Sequence, residues 1–226
     1  MTDTTPYRER LADDPQFRDV LFVVMDFEGT TPKGYPAEPI EVAALGIQHV
    51  PGRGPMPNGL SYQSFISPPQ HAPLTIRDTA QTGITSADLA EAPAARAALR
   101  ALDTILPTTP TLLVAHHAPP EANILYAYRA ACPHLAQTRI VDTRLLAKHI
   151  LPGLPAYDLD ALLAHHGIPQ PARRHRAMDD VTVTAELFRR LLTAAARPRA
   201  ITSLHDLVRV ASRTPRATQP AQLELP

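Results

Sequence analysis

Two carboxylates stand one residue apart in LFVVMDFEGT, residues 21–30, as Asp26 and Glu28 on either side of Phe27. In a strand, residues i and i+2 share a face, so both anions leave one side of the same backbone. Anions that close repel, and a cation between them relieves the repulsion. Carboxylate oxygens suit hard divalent cations such as Mg²⁺ or Mn²⁺. Taken alone, a D-x-E is a pair of solvated acids in a turn. The apolar, β-branched run ending at Asp26 argues instead for a buried strand, and open α/β sheets build their sites at the carboxyl ends of such strands.

Two further segments carry compatible chemistry. RRHRAMDD, residues 173–180, sets His175 five residues ahead of Asp180. Asp180 falls where a helix opens, and a first-turn carboxylate there reaches a central cleft. A histidine on the loop before it is placed to act as a base. VAHHAPPEANIL, residues 114–125, ends a strand at His116 and His117, turns, and starts a helix at Glu121. Each has a plainer reading. Glu121 is then a first-turn acid favoured by the helix dipole, Asp179 a cap, and His175 a surface histidine.

The elements that must position these groups follow from apolar periodicity. Short apolar runs predict strands at 20–26, 40–50, 61–68, 111–117 and 138–143, with a hairpin-like connection through the Pro/Gly segment 51–59. Helical spacing predicts helices at 85–106 (N-capped by Thr85 or Ser86), 121–132, from 143, 157–168 (closed by Gly167) and 178–196. Strands first, then strands alternating with helices, imply an α/β sheet of mixed direction flanked by helices. The 25 prolines cluster between these runs and read as connections.

Bulk properties narrow the class. The 22 basic and 22 acidic residues cancel, so no global field points to a nucleic-acid or membrane partner. The densest basic run, Arg173, Arg174 and Arg176, is either a phosphate-binding patch or a solvated loop. One cysteine, Cys132, excludes an internal disulfide framework and argues against a structural zinc site. No apolar run is long enough to span a membrane, and the polar N-terminus has no signal-peptide core, so a cytoplasmic location is expected.

In this order and on these elements, the segments together resemble the DEDDh-type 3′→5′ exonucleases. These include the proofreading subunit of bacterial replicative DNA polymerase, ribonuclease T and oligoribonuclease. The likeness covers roughly residues 20–193. Asp26 and Glu28 match the first motif, HHAPPE with Glu121 the second, and His175, Ala177 and Asp180 the third, H-x-A-x-x-D. PIEVAALGI with Glu41 is similar to the family's second strand, and TGITSADL to its G-I-T helix start. Four positions depart from the pattern. Glu121 replaces an aspartate, Pro120 an aromatic and His117 an asparagine. Gly29 stands where a side chain is common.

The resemblance implies a ribonuclease H-like mixed five-stranded sheet flanked by helices. The exonuclease domain would span 20–196, after an N-terminal extension at 1–19 and before a C-terminal tail at 197–226, partly helical or flexible. It implies two divalent metal ions, Mg²⁺ or Mn²⁺, held by Asp26, Glu28, Glu121 and Asp180, with His175 as general base. The product is a 5′-mononucleotide from a DNA or RNA strand with a free 3′ end. Substrate contacts are expected from Phe27, Gly29, Thr30, Phe65, Ile84, His116, Arg173 and Arg176, although Phe27 should turn its ring to the core. Homodimers occur among short-RNA relatives, and tails of this kind tether some nucleases to protein partners. Two alternatives stand beside this reading. One is a catalytically weak or inactive nucleic-acid-binding scaffold of the same fold, motivated by Glu121. The other is a ribonuclease H-like endonuclease, which leaves the H-x-A-x-x-D element unexplained.

Overall fold

The computed structural model describes residues 11–30, 32–195 and 201–218. The first ten residues of the expected N-terminal extension and the tail residues 197–200 and 219–226 lie outside them. Chain order is α1 (Pro15–Asp19), β1 (Leu21–Thr30), β2 (Glu38–Val50), β3 (Gly54–Phe65), α2 (Ile76–Thr82), α3 (Ser86–Leu89), α4 (Ala95–Ile105) and β4 (Thr111–Ala115). Then come α5 (Pro119–Ala127), α6 (Pro133–Gln137), β5 (Ile140–Asp142), α7 (Thr143–Ile150), α8 (Leu159–His166), α9 (Ala177–Ala194), α10 (Leu204–Ala211) and β6 (Ser212–Arg213). A single 3₁₀ turn, Arg216–Thr218, follows.

The sheet has six strands in the order β3-β2-β1-β4-β5-β6, one more than the five expected. The sixth is the short β6, which pairs antiparallel with β5 through Ile140↔Arg213 and Val141↔Ser212. Two residues without an apolar run carry no strand pattern, and the pairing is supplied by the edge of β5. β1 is central, antiparallel to β2 and parallel to β4. With a neighbour on both sides and helices on both faces, it must be apolar throughout. Its odd residues Leu21, Val23, Met25 and Phe27 join one core with α4, α5 and α6. Its even residues Phe22 and Val24 join the other with α7, α8 and α9.

That parity directs the chemistry. Asp26 and Glu28 continue the even series, so they face the side covered by α9. Phe22 meets Phe188 of α9 edge-on at 5.1 Å. From Phe188 back to Asp180 the helix rises about 12 Å, and from Phe22 to Asp26 the strand rises about 13 Å. The two elements therefore arrive together at the carboxylates.

Four predicted boundaries move. β1 does not stop at Asp26 but runs to Thr30, because β2 keeps pairing with it as far as Thr30↔Glu38. β3 begins at Gly54, so the Pro/Gly segment is part of the hairpin. Pro55 and Pro57 are accommodated because β3 is an edge strand. The long helix expected at 85–106 is two, α3 and α4, interrupted by Pro93, which has no N–H and disfavours helix in the residue before it. The helix read at 121–132 begins earlier, with Pro119 at a first-turn position, and ends at Ala127. Gly167 does close α8, at φ 62°. Among the described residues no helix is long and apolar enough to cross a membrane.

The Phe22–Phe188 contact predicts a measurable cost. Phe188→Ala leaves a cavity between β1 and α9 and should lower unfolding free energy by about 3–5 kcal/mol in urea titrations. A loss under about 1 kcal/mol would mean that this contact does not hold α9 in place.

Candidate active site

The cleft opens where β1 outruns its parallel neighbour. Pairing with β4 ends at Val24↔Val114, whereas β1 continues past Asp26 and Glu28. The space beyond β4 is filled by the turn at 116–118 and the start of α5, which brings in Glu121. From the other side the 173–176 loop and the first turn of α9 bring His175 and Asp180. Ligand atoms of Glu28, His175 and Asp180 lie within 4.8 Å of one another. Glu28, Glu121 and Asp180 are buried and Asp26 half-buried. Phe27 turns into the opposite core, as its parity requires.

Acids that repel one another in a poorly solvated cleft hold protons strongly. Burial, then the charges of Glu121, Glu28 and Asp180, raise Asp26 well above the usual carboxylate range. Burial, then Asp180 and Glu41, push Glu28 up to about 8. Burial pushes Glu121 up to about 8 against the pull of its own backbone amide, with Asp142 and Glu28 adding to the rise. Burial also raises Asp180, offset in part by Arg174. Glu121 Oε2 is buried with no hydrogen-bond partner. An orphaned buried carboxylate oxygen beside other acids suits a hard divalent cation, although the ligand atoms that lie within 4.8 Å of one another are those of Glu28, His175 and Asp180 and not of Glu121 or Asp26.

The supports are as specific as the site. His175 sits at φ 59°, a left-handed conformation that histidine adopts more readily than most residues. From there its N–H donates to Asp180 Oδ2 at 3.3 Å. Glu41, fully buried on β2 and paired across the sheet with Glu28, anchors the start of α9. Arg176 Nε and Nη2 donate to it at 3.1 and 3.0 Å, and Ala177 N–H at 3.0 Å. Burial pushes Glu41 up, but the bonds from Arg176, Ala177 and Gln63 leave it below its ordinary value. On the other side Asp142 caps α7 and takes the amides of His117 and Ala118, each at 3.2 Å. That clasp holds the turn leading to Glu121.

The remaining expected contacts are distributed unevenly. Arg174 bonds Asp180 and, at 2.9 Å, Asp160. Arg173 bonds Asp179 at 3.1 Å, and Arg176 holds Glu41 while lying 5.2 Å over the Phe65 ring. All three guanidinium groups of the basic run are thus engaged by carboxylates. Asp179 is no cap, since the N-cap position is Arg176. Ile84, read as a base-packing side chain, is instead fully buried with Ile40 and Leu89 and presents no surface to a base. Thr30 is buried, its hydroxyl 3.4 Å from the Glu38 carbonyl. Gly29 is crowded by that same carbonyl, 3.3 Å from where a Cβ would stand, which accounts for a glycine there. His116 bonds Thr143 Oγ1 through Nδ1 at 2.9 Å, and burial pushes it down to about 4, so its ring is neutral at pH 7. The anchoring roles of Glu41 and Asp142 were missed in the sequence. The D-T-R-L-L pattern was a legible helix cap for Asp142, but nothing local pairs Glu41 with Arg176, 135 residues away.

The exonuclease family model, RNase_T, matches residues 23–188. A PolC-type DNA polymerase III of Thermotoga maritima is 31% identical over 198 residues, 85% of this chain and 13% of that protein. A DNA polymerase III subunit epsilon-like protein of Rhodobacter capsulatus is 32% identical over 178 residues, 77% of this chain and 24% of that one. The chain therefore spans less than a quarter of the length of these relatives. Among solved structures it resembles the nuclease domain of 3′hExo, a DEDDh family member bound to rAMP. The TM-score is 0.66 at 18% identity, covering 81% of this chain and 96% of that one. It also resembles exonuclease X in complex with 5′ overhanging duplex DNA, with a TM-score of 0.57 at 20% identity, covering 79% and 95%. These likenesses show the fold, the ribonuclease H-like sheet expected from the sequence.

The raised carboxylates give a signed pH dependence. Glu28 and Glu121 near 8 bind more protons folded than unfolded, where glutamate titrates near 4.3. Stability therefore falls as pH rises between those values. In EDTA the Tm should drop from about pH 5 toward pH 8. Added Mn²⁺, which needs ionised ligands, should raise Tm more at pH 8 than at pH 6. Scanning calorimetry checks both signs, and a Tm that climbs toward pH 8 in EDTA contradicts the assignment.

Proposed function

Since the chain belongs to the exonuclease family, we propose that it is a DEDDh-type enzyme that removes nucleotides from the 3′ end of DNA or RNA. The observation that carries this reading is the convergence of Asp26, Glu28, Glu121 and Asp180, all raised by burial, with His175 at their edge. Members of this family generally use divalent ions. Asp26, Glu28, Glu121 and Asp180 would hold two, Mg²⁺ or Mn²⁺. When bound, such ions supply Lewis-acid stabilisation of charge on the phosphoryl oxygens.

The chain's own groups divide the remaining work. His175, held by its amide on Asp180, accepts the proton of the attacking water through its ring. An imidazole ring nitrogen is the commonest side-chain group for that task. The water oxygen bonds to the last phosphorus, the P–O3′ bond breaks, and the departing 3′-oxygen takes a proton from solvent. The products are a 5′-mononucleotide and a strand shortened by one. Glu41 and Arg176 fix the start of α9 and so the height of His175 over the acids. Asp142 does the same for the turn before Glu121. The solved neighbours with rAMP and with duplex DNA are the reason both sugars belong in the assay.

The test uses 5′-labelled single-stranded DNA and RNA, each with a free or a blocked 3′ end, in Mg²⁺ or Mn²⁺. The expected result is a descending ladder from the free 3′ end only. Asp26→Asn should abolish it. His175→Asn should slow it about 10²–10⁴-fold, the contribution of a positioned general base. No shortening of any strand despite retained binding would overturn the catalytic reading in favour of a binding module. Cutting of circular strands would overturn it in favour of an endonuclease.

A further inference from the structure

Residues beyond the family match, which ends at 188, fold back against α5. β6 adds to the sheet edge beside β5, and the 3₁₀ turn after it packs on α5 and α6. Between them and the first turns of α5 lies a cleft of about 420 Å³. It is lined by Pro119, Ala122, Asn123, Arg213, Thr214 and Arg216. Its polar lining is two guanidinium groups, an amide and a hydroxyl, with no acid. Arg216 has no carboxylate partner among the described residues. Arg213 reaches only to 3.9 Å of Asp142 Oδ2. That acid is buried and already accepts the amides of His117, Ala118, Arg144 and Leu145, at 3.2, 3.2, 2.9 and 3.4 Å.

Arg144 and His117 both donate their amides to Asp142. Arg144 Nη1 lies 3.4 Å from His117 Nδ1, and its Nε is buried without a partner. His117 lies in the turn that delivers Glu121, and Arg213 leans on the same Asp142 that holds the His117 amide. By contrast, Arg173, Arg174, Arg176, Arg189 and Arg190 are all tied to carboxylates. A cleft whose charged lining is two arginines, one without a carboxylate partner among the described residues and one held only at 3.9 Å from a buried acid, matches a polyanion, and arginine forks match phosphate oxygens. α5 separates Glu121 from the cleft by its own width, about 10 Å. A strand that crosses that width therefore reaches the cleft upstream of its terminal nucleotide.

We propose that the β6–α5 cleft, with Arg213 and Arg216, binds the phosphodiester backbone of a single strand upstream of the 3′ end placed at Asp26 and Glu28. The assignment rests on the exonuclease reading and adds to it a contact that the matched family segment does not contain. It makes affinity depend on strand length.

The experiment measures fluorescence anisotropy of phosphorothioate oligothymidylates of three and ten nucleotides in Ca²⁺. The proteins are the full chain, Arg213→Ala/Arg216→Ala, the matching double lysine variant, and Arg100→Ala/Arg209→Ala as a charge-matched control. For the decamer, the double alanine variant should bind about tenfold more weakly at low salt. Its slope of log affinity against log salt should shrink by about 1.4, at about 0.7 per phosphate contact on a single strand. The lysine variant should keep the slope, and the control should match the parent chain. The trimer should lose far less than the decamer. Equal decamer affinity and slope in parent and double alanine variant would overturn the proposal. So would equal losses on trimer and decamer, or competition by millimolar inorganic phosphate that erases the parent's advantage. Failure of the parent chain to bind either strand would count instead against the exonuclease reading.

Discussion

Four carboxylates that repel one another, gathered away from water at the end of one buried strand, set the terms for the rest of this structure. Burying an unpaired charge costs several kcal/mol, so the fold has to offset it locally. It does so in three ways. Protons are held at elevated pH by Asp26, Glu28 and Glu121. One arginine, Arg174, is spent on Asp180. A second, Arg176, is spent on Glu41, the acid directly across the sheet from Glu28. The loop 173–176 is thus more than a carrier of His175. It is the cationic edge of the cluster, with His175 in left-handed backbone between the two arginines.

The same strand supplies the framework. Phe22 and Val24 pin β1 to α9, and the even parity that buries them sends Asp26 and Glu28 to meet the amino end of that helix. A one-residue register slip would turn both acids into the core beneath α4 and α5, and Phe27 into the cleft. The pairing of β1 with β2 continues past the acids to Thr30 and resists such a slip. The early end of β4 leaves the opening. Fold and site therefore share residues, and destabilising the Phe22–Phe188 contact should loosen the cluster before it unfolds the chain.

Much of this was legible in the sequence because the informative patterns are local. The apolar run before Asp26, the five-residue step from His175 to Asp180 and the strand–turn–helix around Glu121 each lie within about ten residues, and their periodicities identify the elements. Legibility failed where partners are distant or weakly patterned. Ile84 looked available to a base, but its apolar neighbours Ile40 and Leu89 come from other elements and bury it. The arginines of the basic run looked free for phosphate, because their acids Asp160, Asp179 and Glu41 are identified only by tertiary contact. β6 is two residues long and exists because β5 offers an edge.

The glutamate at position 121 can now be weighed physically. A residue one methylene longer than aspartate at the start of α5 would be expected to overshoot the cluster or to withdraw from it. Glu121 is buried, and it lies near enough to Asp26 for the two acids to repel. Pro119 opens α5, the N–H of Ala118 is clamped by Asp142, and Glu121 follows in the first turn. Pro120, where the family pattern has an aromatic ring, adds a second rigid residue to that entry. The turn is therefore fixed by Asp142 from one side and by two prolines in succession from the other. The side chain of Glu121 therefore leaves a turn whose backbone has little freedom, which fixes the direction from which this acid approaches Asp26.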